Sequence, residues 1–202
     1  MELSKPQLEC ELRGPITRAD FVELEKRIGV DFGNFRATKE LAIFIQGTHD
    51  LRIKITPDGG RLVYKNKIGI NDYKQEIEVG IEKEYILNQI EILSAIGFNQ
   101  ARFSYVEKHE AKKGNRSFCV KFGSKIGDYF EIETLVSTEK DIAKVTEDME
   151  NYINQIGLQL WSQETYNDLL ADSWKDTETE PLYDFEIKHF NQTILDAIEQ
   201  IF

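Results

Sequence analysis

The stretch LECELRGPI, residues 8–16, alternates polar and apolar side chains with a period of two, which is typical of a β-strand with one buried face. Its charged positions share one face: Glu9, Glu11 and Arg13. Its apolar positions share the other: Leu8, Cys10 and Leu12. The apolar face needs cover from other elements. The charged face is either wetted surface or the lining of a site that needs both signs of charge.

Seven further segments have the alternation or the apolar runs of strands, and turn residues separate them. They are KELAIFIQ (39–46), DLRIKIT (50–56), RLVYKNK (61–67), YKQEIEVGI (73–81), ARFSYVEKHEA (101–111), RSFCVKFG (116–123) and GDYFEIETLV (127–136). PDGG at 57–60 favours a tight hairpin, because proline presets one dihedral and glycine accepts positive φ.

Helical spacing of apolar residues predicts helices between and after these strands. The segments are 18–29, with Thr17 as N-cap, then 82–96, 138–156 and 163–172. GLQLW, residues 157–161, has the character of a strand. From residue 176 the pattern predicts an acidic linker and an amphipathic helix, with apolar positions at Ile187, Phe190, Ile194, Ile198 and Ile201.

These elements predict an α+β fold: an eight-stranded antiparallel sheet that closes into a tunnel, with helices packed outside and a C-terminal helical extension. The predicted domains are residues 1–172 for the tunnel and 173–202 for the acidic linker and terminal helix. The formal net charge of −11 argues against nonspecific nucleic-acid binding. We expect a cytoplasmic protein with two reduced cysteines and no membrane segment, and the terminal helix allows a homodimer.

The charged positions recur on several strands in a common pattern. They are Glu9, Glu11 and Arg13; Arg52 and Lys54; Lys65 and Lys67; Lys74, Glu76 and Glu78; and Glu131 and Glu133. If helices cover the apolar faces from outside, these charged faces point into the tunnel. A triphosphate needs several cationic donors there, and carboxylates beside it would need a divalent ion, which takes oxygen ligands.

Five motifs stand in order within residues 5–172: ECELR (9–13), LRIK (51–54), LVYKNKIG (62–69), VEKHE (106–110) and IGDYFEIE (126–133). In this order and spacing they resemble the motifs of the CYTH family, the triphosphate tunnel metalloenzymes. That family includes class IV adenylyl cyclases, thiamine triphosphatases and inorganic tripolyphosphatases. The chain departs from the family pattern at Glu110, where the cyclase branch has arginine. It departs again at Cys119 and Lys121, where an acidic metal ligand is often found.

The resemblance implies a metal-dependent enzyme that processes ATP, thiamine triphosphate or tripolyphosphate. Mg²⁺ or Mn²⁺ would be held by Glu9, Glu11, Glu131 and Glu133. The triphosphate would be held by Arg13, Arg52, Lys54, Lys65 and Lys108. The expected catalytic residues are Glu9, Glu11 and the same five basic residues.

Three interpretations remain open at the level of sequence. The first is hydrolysis of a phosphoanhydride, or cyclisation of ATP to cyclic AMP and pyrophosphate. The second is a nucleotide- or polyphosphate-binding module that has lost turnover through the changes at Glu110, Cys119 and Lys121. The third is a structural domain whose tail mediates oligomerisation. Individual lysines such as Lys67, Lys74, Lys112 and Lys121 are as readily solvated surface residues as ligands. Glu76 and Glu78 are ligands or salt-bridge partners of the basic residues.

Overall fold

A computed structural model of the chain describes residues 7–47, 50–67, 74–175, 180–184, 189–190 and 192–202. The described residues divide into two compact units. Unit 1 comprises Met1–Ala37, Lys67–Glu76 and Glu107–Lys175, and unit 2 comprises Thr38–Asn66, Ile77–Val106 and Asp176–Phe202. The predicted boundary at 172/173 lies inside a helix that ends at Lys175, next to the point where the chain passes from unit 1 to unit 2.

Within the described residues, the eight predicted long strands are all present, so the α+β class is confirmed. They are β1 (Gln7–Pro15), β2 (Arg36–Ile45), β3 (Asp50–Thr56), β4 (Gly59–Lys67), β5 (Lys74–Ile81), β6 (Gln100–Lys113), β7 (Arg116–Phe122) and β8 (Tyr129–Val136). Three two-residue strands follow: β9 (Glu180–Pro181), β10 (Tyr183–Asp184) and β11 (His189–Phe190). The helices are α1 (Arg18–Phe32), α2 (Ile86–Ala95), α3 (Ile142–Gln155), α4 (Gln163–Lys175) and α5 (Gln192–Ile201).

Unit 1 is built on the strand order β5-β1-β8-β7-β6, in which β5 and β6 contribute only their residues 74–76 and 107–113. The β1, β8, β7 and β6 pairings are antiparallel. One face of this sheet carries the apolar core, in which Cys10 of β1, Phe118 of β7 and Ile132 of β8 pack with side chains of α1 and α3. The prediction that Cys10 is a core residue is therefore confirmed.

Helix α1 begins at the predicted position because Thr17 caps it. The Thr17 side chain accepts a hydrogen bond from the backbone N–H of Asp20, and the Asp20 carboxylate accepts one from the backbone N–H of Thr17. This reciprocal capping box satisfies two donors that a helix N-terminus leaves unpaired. The helix then buries the face formed by Phe21, Leu24, Ile28 and Phe32.

Unit 2 has the strand order β5-β4-β3-β2-β6-β9, with β5 and β6 contributing residues 77–81 and 100–106. The predicted hairpin at PDGG is confirmed, since β3 and β4 pair antiparallel around Pro57 and Asp58 and Gly59 has a φ of 135°. Its core joins Ile53 of β3 and Ile90 of α2 to Ile194 and Ile201 of α5. The amphipathic C-terminal helix is therefore part of the unit 2 core.

Four details of the predicted fold are wrong or stand unconfirmed. GLQLW forms no strand: the Trp161 N–H donates to the Arg13 carbonyl at 2.9 Å, but no ladder follows. The terminal helix begins at Gln192, because residues 189–190 pair with 183–184 as a short antiparallel ribbon. Ile187 and most of the acidic linker lie outside the described residues. Closure of the eight strands into a tunnel stays a prediction, which the strand order within either unit does not test.

Gly14 of β1 provides a test of the packing in unit 1. A Cβ atom at this position would lie 1.9 Å from the Gln159 carbonyl oxygen and 2.7 Å from the Phe130 ring. We expect Gly14→Ala to lower the free energy of unfolding by about 1–3 kcal/mol, because backbone must move to accept the methyl group. Urea unfolding of the purified variant measures this change.

Gly29 of α1 is the matched control. A Cβ there meets nothing within 4 Å. Since alanine is the better helix former, Gly29→Ala should raise the free energy of unfolding by about 0.5–1 kcal/mol. A Gly14→Ala variant as stable as wild-type protein would contradict the packing described for Gly14.

Candidate functional site

The face of the unit 1 sheet opposite the core carries a dense set of charged side chains. The antiparallel register sets Glu11 opposite Glu133 and Arg13 opposite Glu131. On the next strands, Cys119 lies opposite Glu131, and Lys121 lies opposite both Tyr129 and Lys108. The ionisable side chains on this face are Glu9, Glu11, Arg13, Lys108, Glu110, Lys112, Cys119, Lys121, Tyr129, Glu131 and Glu133. We call it the unit 1 charged face.

Arg13 and Lys121 bind the carboxylates of this face. The Arg13 guanidinium forms ion pairs with Glu11 and, from Nε, with Glu131 Oε1 at 2.9 Å. The Lys121 ammonium lies 2.7 Å from the second oxygen, Glu131 Oε2. All four side chains are largely buried, with exposed fractions between 6% and 17%. Ion pairs this shielded are screened much less by salt than surface pairs.

These pairings set the protonation of the network. Burial raises the pKa of the Glu131 carboxyl, but Lys121 and then Arg13 lower it by more, so the pKa stands well below its usual range. Burial lowers the pKa of the Arg13 guanidinium, while Glu11 and Glu131 raise it by more, leaving the pKa well above its ordinary value. Glu131 and Arg13 are therefore both ionised at neutral pH.

Aromatic side chains hold Arg13 from the other side. The Arg13 guanidinium lies 4.6 Å from the centroid of the Tyr166 ring, a distance typical of a cation–π contact. The Trp161 ring stacks on Tyr166 with centroids 6.2 Å apart, and it also contacts Tyr129 at 5.7 Å. The segment that joins α3 to α4 and the first turn of α4 thus fix the orientation of a β1 side chain.

The two departures from the family pattern have defined surroundings. Glu110 forms an ion pair with Lys108, whose Nζ lies 3.2 Å from Glu110 Oε1. Cys119 is buried on the charged face, and burial raises the pKa of its thiol. A neutral thiol contributes no charge to metal or phosphate binding at neutral pH.

Unit 2 presents a second charged face, which is basic. Arg52 and Lys54 of β3 share it with Lys65 of β4, as the register Asp50↔Lys65 and Lys54↔Arg61 requires. Lys65 is 7% exposed, and the side chains of Arg52 and Lys54 are each 19% exposed. Lysine and arginine are seldom this buried unless they are paired. We call this set the unit 2 basic face.

Carboxylates accompany the cations of the unit 2 basic face. Asp50 accepts two hydrogen bonds of 2.7 Å from Arg52, one from Nε and one from Nη2, in a bidentate pair. The Arg52 guanidinium also lies 4.9 Å from the centroid of the Phe44 ring. Glu78 lies 3.8 Å from Lys54 Nζ and 3.4 Å from Arg61 Nη1. Glu78 is therefore a salt-bridge partner, one of the two roles expected from the sequence.

The structure distributes the predicted site residues between the two faces. Glu9, Glu11, Arg13, Lys108, Glu131 and Glu133 belong to unit 1, and Arg52, Lys54 and Lys65 belong to unit 2. The side chains of Lys67 and Lys74 lie outside the described residues. The individual roles of the predicted site residues in catalysis, phosphate binding or metal binding stay predictions.

Sequence reasoning missed Asp50, Trp161 and Tyr166. Asp50 stands next to the LRIK motif and two residues before Arg52, a spacing that puts both on one face of a strand. That alternation could have identified it as the partner of Arg52. The aromatic pair gave no signal, because only tertiary packing brings the 161–166 segment to Arg13.

The Mg²⁺ or Mn²⁺ expected from the family resemblance stays a prediction. Among the residues that the structure describes, no group of three or more His, Cys, Asp or Glu side chains is placed to hold a metal ion. The carboxylate donors have suitable chemistry for Mg²⁺ or Mn²⁺. However, Arg13 and Lys121 each engage one oxygen of Glu131, and Arg13 also engages Glu11.

The fold of this chain resembles those of several solved structures. The PH1819 protein of Pyrococcus horikoshii matches with a TM-score of 0.64 and 22% identity, over 81% of this chain and 98% of that one. A "putative adenylate cyclase" of Vibrio parahaemolyticus matches with a TM-score of 0.62 and 16% identity, over 83% and 99%. HpAC1 of Hippeastrum, a "putative adenylyl cyclase" with a dominant triphosphatase activity, matches with a TM-score of 0.50 and 13% identity. The match covers 82% of this chain and 96% of that one.

These matches show the fold. The predicted resemblance to the CYTH family is confirmed at that level, since the chain shares its fold with two proteins named as a "putative adenylate cyclase" and a "putative adenylyl cyclase", the second with a triphosphatase activity. No family model matches the sequence, and no curated protein matches it. Among the described helices, none is long and apolar enough to cross a membrane.

Glu131 provides a test of the unit 1 network through pH. Its folded pKa is lowered, so its ionised form stabilises the fold above the unfolded pKa of about 4.3, and that contribution is lost as the pH falls toward the folded pKa. We expect wild-type protein to exceed Glu131→Gln in free energy of unfolding by the widest margin at about pH 5–7, with the margin shrinking below about pH 4. Urea unfolding across this pH range measures the margin.

Glu25→Gln, on the exposed side of α1, is the control and should leave stability nearly unchanged at every pH. A constant margin for Glu131→Gln from neutral to strongly acid pH would show that Glu131 is not held ionised by its partners.

Proposed function

We propose that this chain binds a small-molecule triphosphate and cleaves or cyclises it. The observation that carries the proposal is the unit 2 basic face, where Arg52, Lys54 and Lys65 share one face of the neighbouring strands β3 and β4 and are largely buried. Strands with solvated lysines are common, but three cations withdrawn from water on one face are not. The fold shared with proteins named as adenylate cyclases and a triphosphatase supports the same conclusion.

The contacts of this face suit an anion that arrives from solution. Arg52 already binds the two oxygens of a carboxylate with its guanidinium fork, and the same fork matches two oxygens of a phosphate. Lys54 and Arg61 share one carboxylate, Glu78, at distances of 3.8 and 3.4 Å, longer than the best charge-assisted hydrogen bonds. A phosphate that offers more charge would compete with Asp50 and Glu78 for these cations.

The arginine and lysine side chains of this face can contribute to the reaction as well as to binding. Phosphoryl transfer proceeds through a transition state whose charge is spread over phosphoryl oxygens, so positioned cations stabilise it. Attack by water on a terminal phosphorus would release phosphate. Attack by a ribose 3′-hydroxyl on the α-phosphorus would give cyclic AMP and pyrophosphate. Mg²⁺ or Mn²⁺ is expected from the family resemblance alone.

Turnover measurements on the full chain test the proposal directly. ATP, thiamine triphosphate and tripolyphosphate are incubated separately with Mg²⁺, with Mn²⁺ and with a chelator, and both phosphate and cyclic AMP are followed. We expect release of phosphate or formation of cyclic AMP from at least one substrate. Thermal stabilisation by a triphosphate without product would favour a binding module instead. The absence of both effects would contradict the proposal.

A substitution of Lys54 tests whether the unit 2 basic face binds the triphosphate. Lys54→Met removes a cation that is 19% exposed and should weaken triphosphate binding at least tenfold, since charge-assisted contacts contribute about 1.5–3 kcal/mol. Lys26→Met removes a cation that is 67% exposed on α1 and should leave binding unchanged. Calorimetric titration with tripolyphosphate measures both affinities. Equal affinities for the two variants would exclude the unit 2 basic face as the binding surface.

A further inference from the structure

The unit 1 charged face brings carboxylates close together, and their repulsion is unfavourable. Its register places Glu11 directly opposite Glu133, and like charges directly opposite across an antiparallel pair are destabilising. Glu9 and Glu131 add two more carboxylates on the same two strands, and Glu9 is 3% exposed. Carboxylates shielded from water in this way require cations close by.

The chain itself supplies two of those cations. Arg13 extends along its own strand β1 to Glu11 and across to Glu131 Oε1. Lys121 reaches Glu131 Oε2 from β7, on the other side of β8, at 2.7 Å. The Glu131 carboxylate is thus held between a guanidinium and an ammonium, with one oxygen on each.

Lys121 is fixed in this position by its surroundings. It is 17% exposed, it lies opposite Tyr129 in the sheet, and its ammonium is 5.5 Å from the centroid of the Tyr129 ring. Lys112, in contrast, lies on the same face of the sheet but is exposed. The two lysines therefore have the same charge and different burial.

We propose that Lys121 stands in for a divalent cation on this face. Its ammonium pairs with Glu131 Oε2, so the carboxylates are stable together without bound metal and the wild-type chain has low affinity for Mg²⁺ and Mn²⁺. This explains why four carboxylates of suitable chemistry form no metal-holding group among the described residues. The inference does not rest on the proposed function, because it concerns the binding of a cation rather than of a triphosphate.

Replacing Lys121 should convert the face into a cation site. Lys121→Met frees Glu131 Oε2 and removes a positive charge that repels an incoming ion. We expect it to bind Mn²⁺ at least tenfold more tightly than wild-type protein, measured by the fall in free Mn²⁺ signal in electron paramagnetic resonance. Lys112→Met is the matched control and should bind as wild type does. Lys121→Arg keeps the charge and should also match wild type.

Stability provides a second measurement that is independent of turnover. Without metal, Lys121→Met should unfold at lower urea than wild type, and Mn²⁺ should restore much of the loss. Mn²⁺ should not stabilise Lys112→Met beyond its effect on wild type. If Lys121→Met does not fold in metal-free buffer, folding on addition of Mn²⁺ supports the proposal, and failure to fold with Mn²⁺ overturns it. Equal Mn²⁺ affinity in wild type and Lys121→Met, or tight binding by wild type, also overturns it.

Discussion

The antiparallel pairing of β1 with β8 is the constraint on which unit 1 depends. Its register runs from Leu8↔Val136 to Pro15↔Tyr129, and it fixes two faces at once. On one face Cys10 and Ile132 enter the core. On the other, Arg13 meets Glu131 while Glu11 meets Glu133. A slip of one residue would move every one of these side chains to the wrong face, so core and charged face specify the same register.

Charge compensation then decides what surrounds this pair of strands. Lys121 of β7 forms an ion pair with Glu131 of β8. The Tyr166 ring of α4 packs against the guanidinium of Arg13 in β1. In unit 2 the balance has the opposite sign, and carboxylates accompany a basic face, as Asp50 does for Arg52. Ion pairs of this kind add little net stability, because desolvation offsets most of their attraction. Their presence is better explained by a need for fixed charges on these faces.

Much of the fold could be predicted from local pattern. Period-two alternation, or an apolar run between turn residues, identified the eight long strands, and Thr17 with Asp20 identified the start of α1. Both kinds of signal arise within a few residues. The errors came from tertiary pairing. GLQLW has strand character but meets only one backbone acceptor, at Arg13, and the apolar spacing near Phe190 was overridden by the ribbon that residues 189–190 form with 183–184. A propensity cannot report whether a partner strand is available.

The sequence by itself determined which side chains share a face, because a strand alternates its side chains whatever lies around it. It therefore placed Glu9, Glu11 and Arg13 together, and Arg52 with Lys54. Only the tertiary structure decided how these charges pair. The contact between Lys121 and Glu131 joins neighbouring strands through a register that no local pattern encodes. The 161–166 segment reaches Arg13 only because chain packing returns it there. Composition supplies charges, and the fold decides which of them neutralise one another.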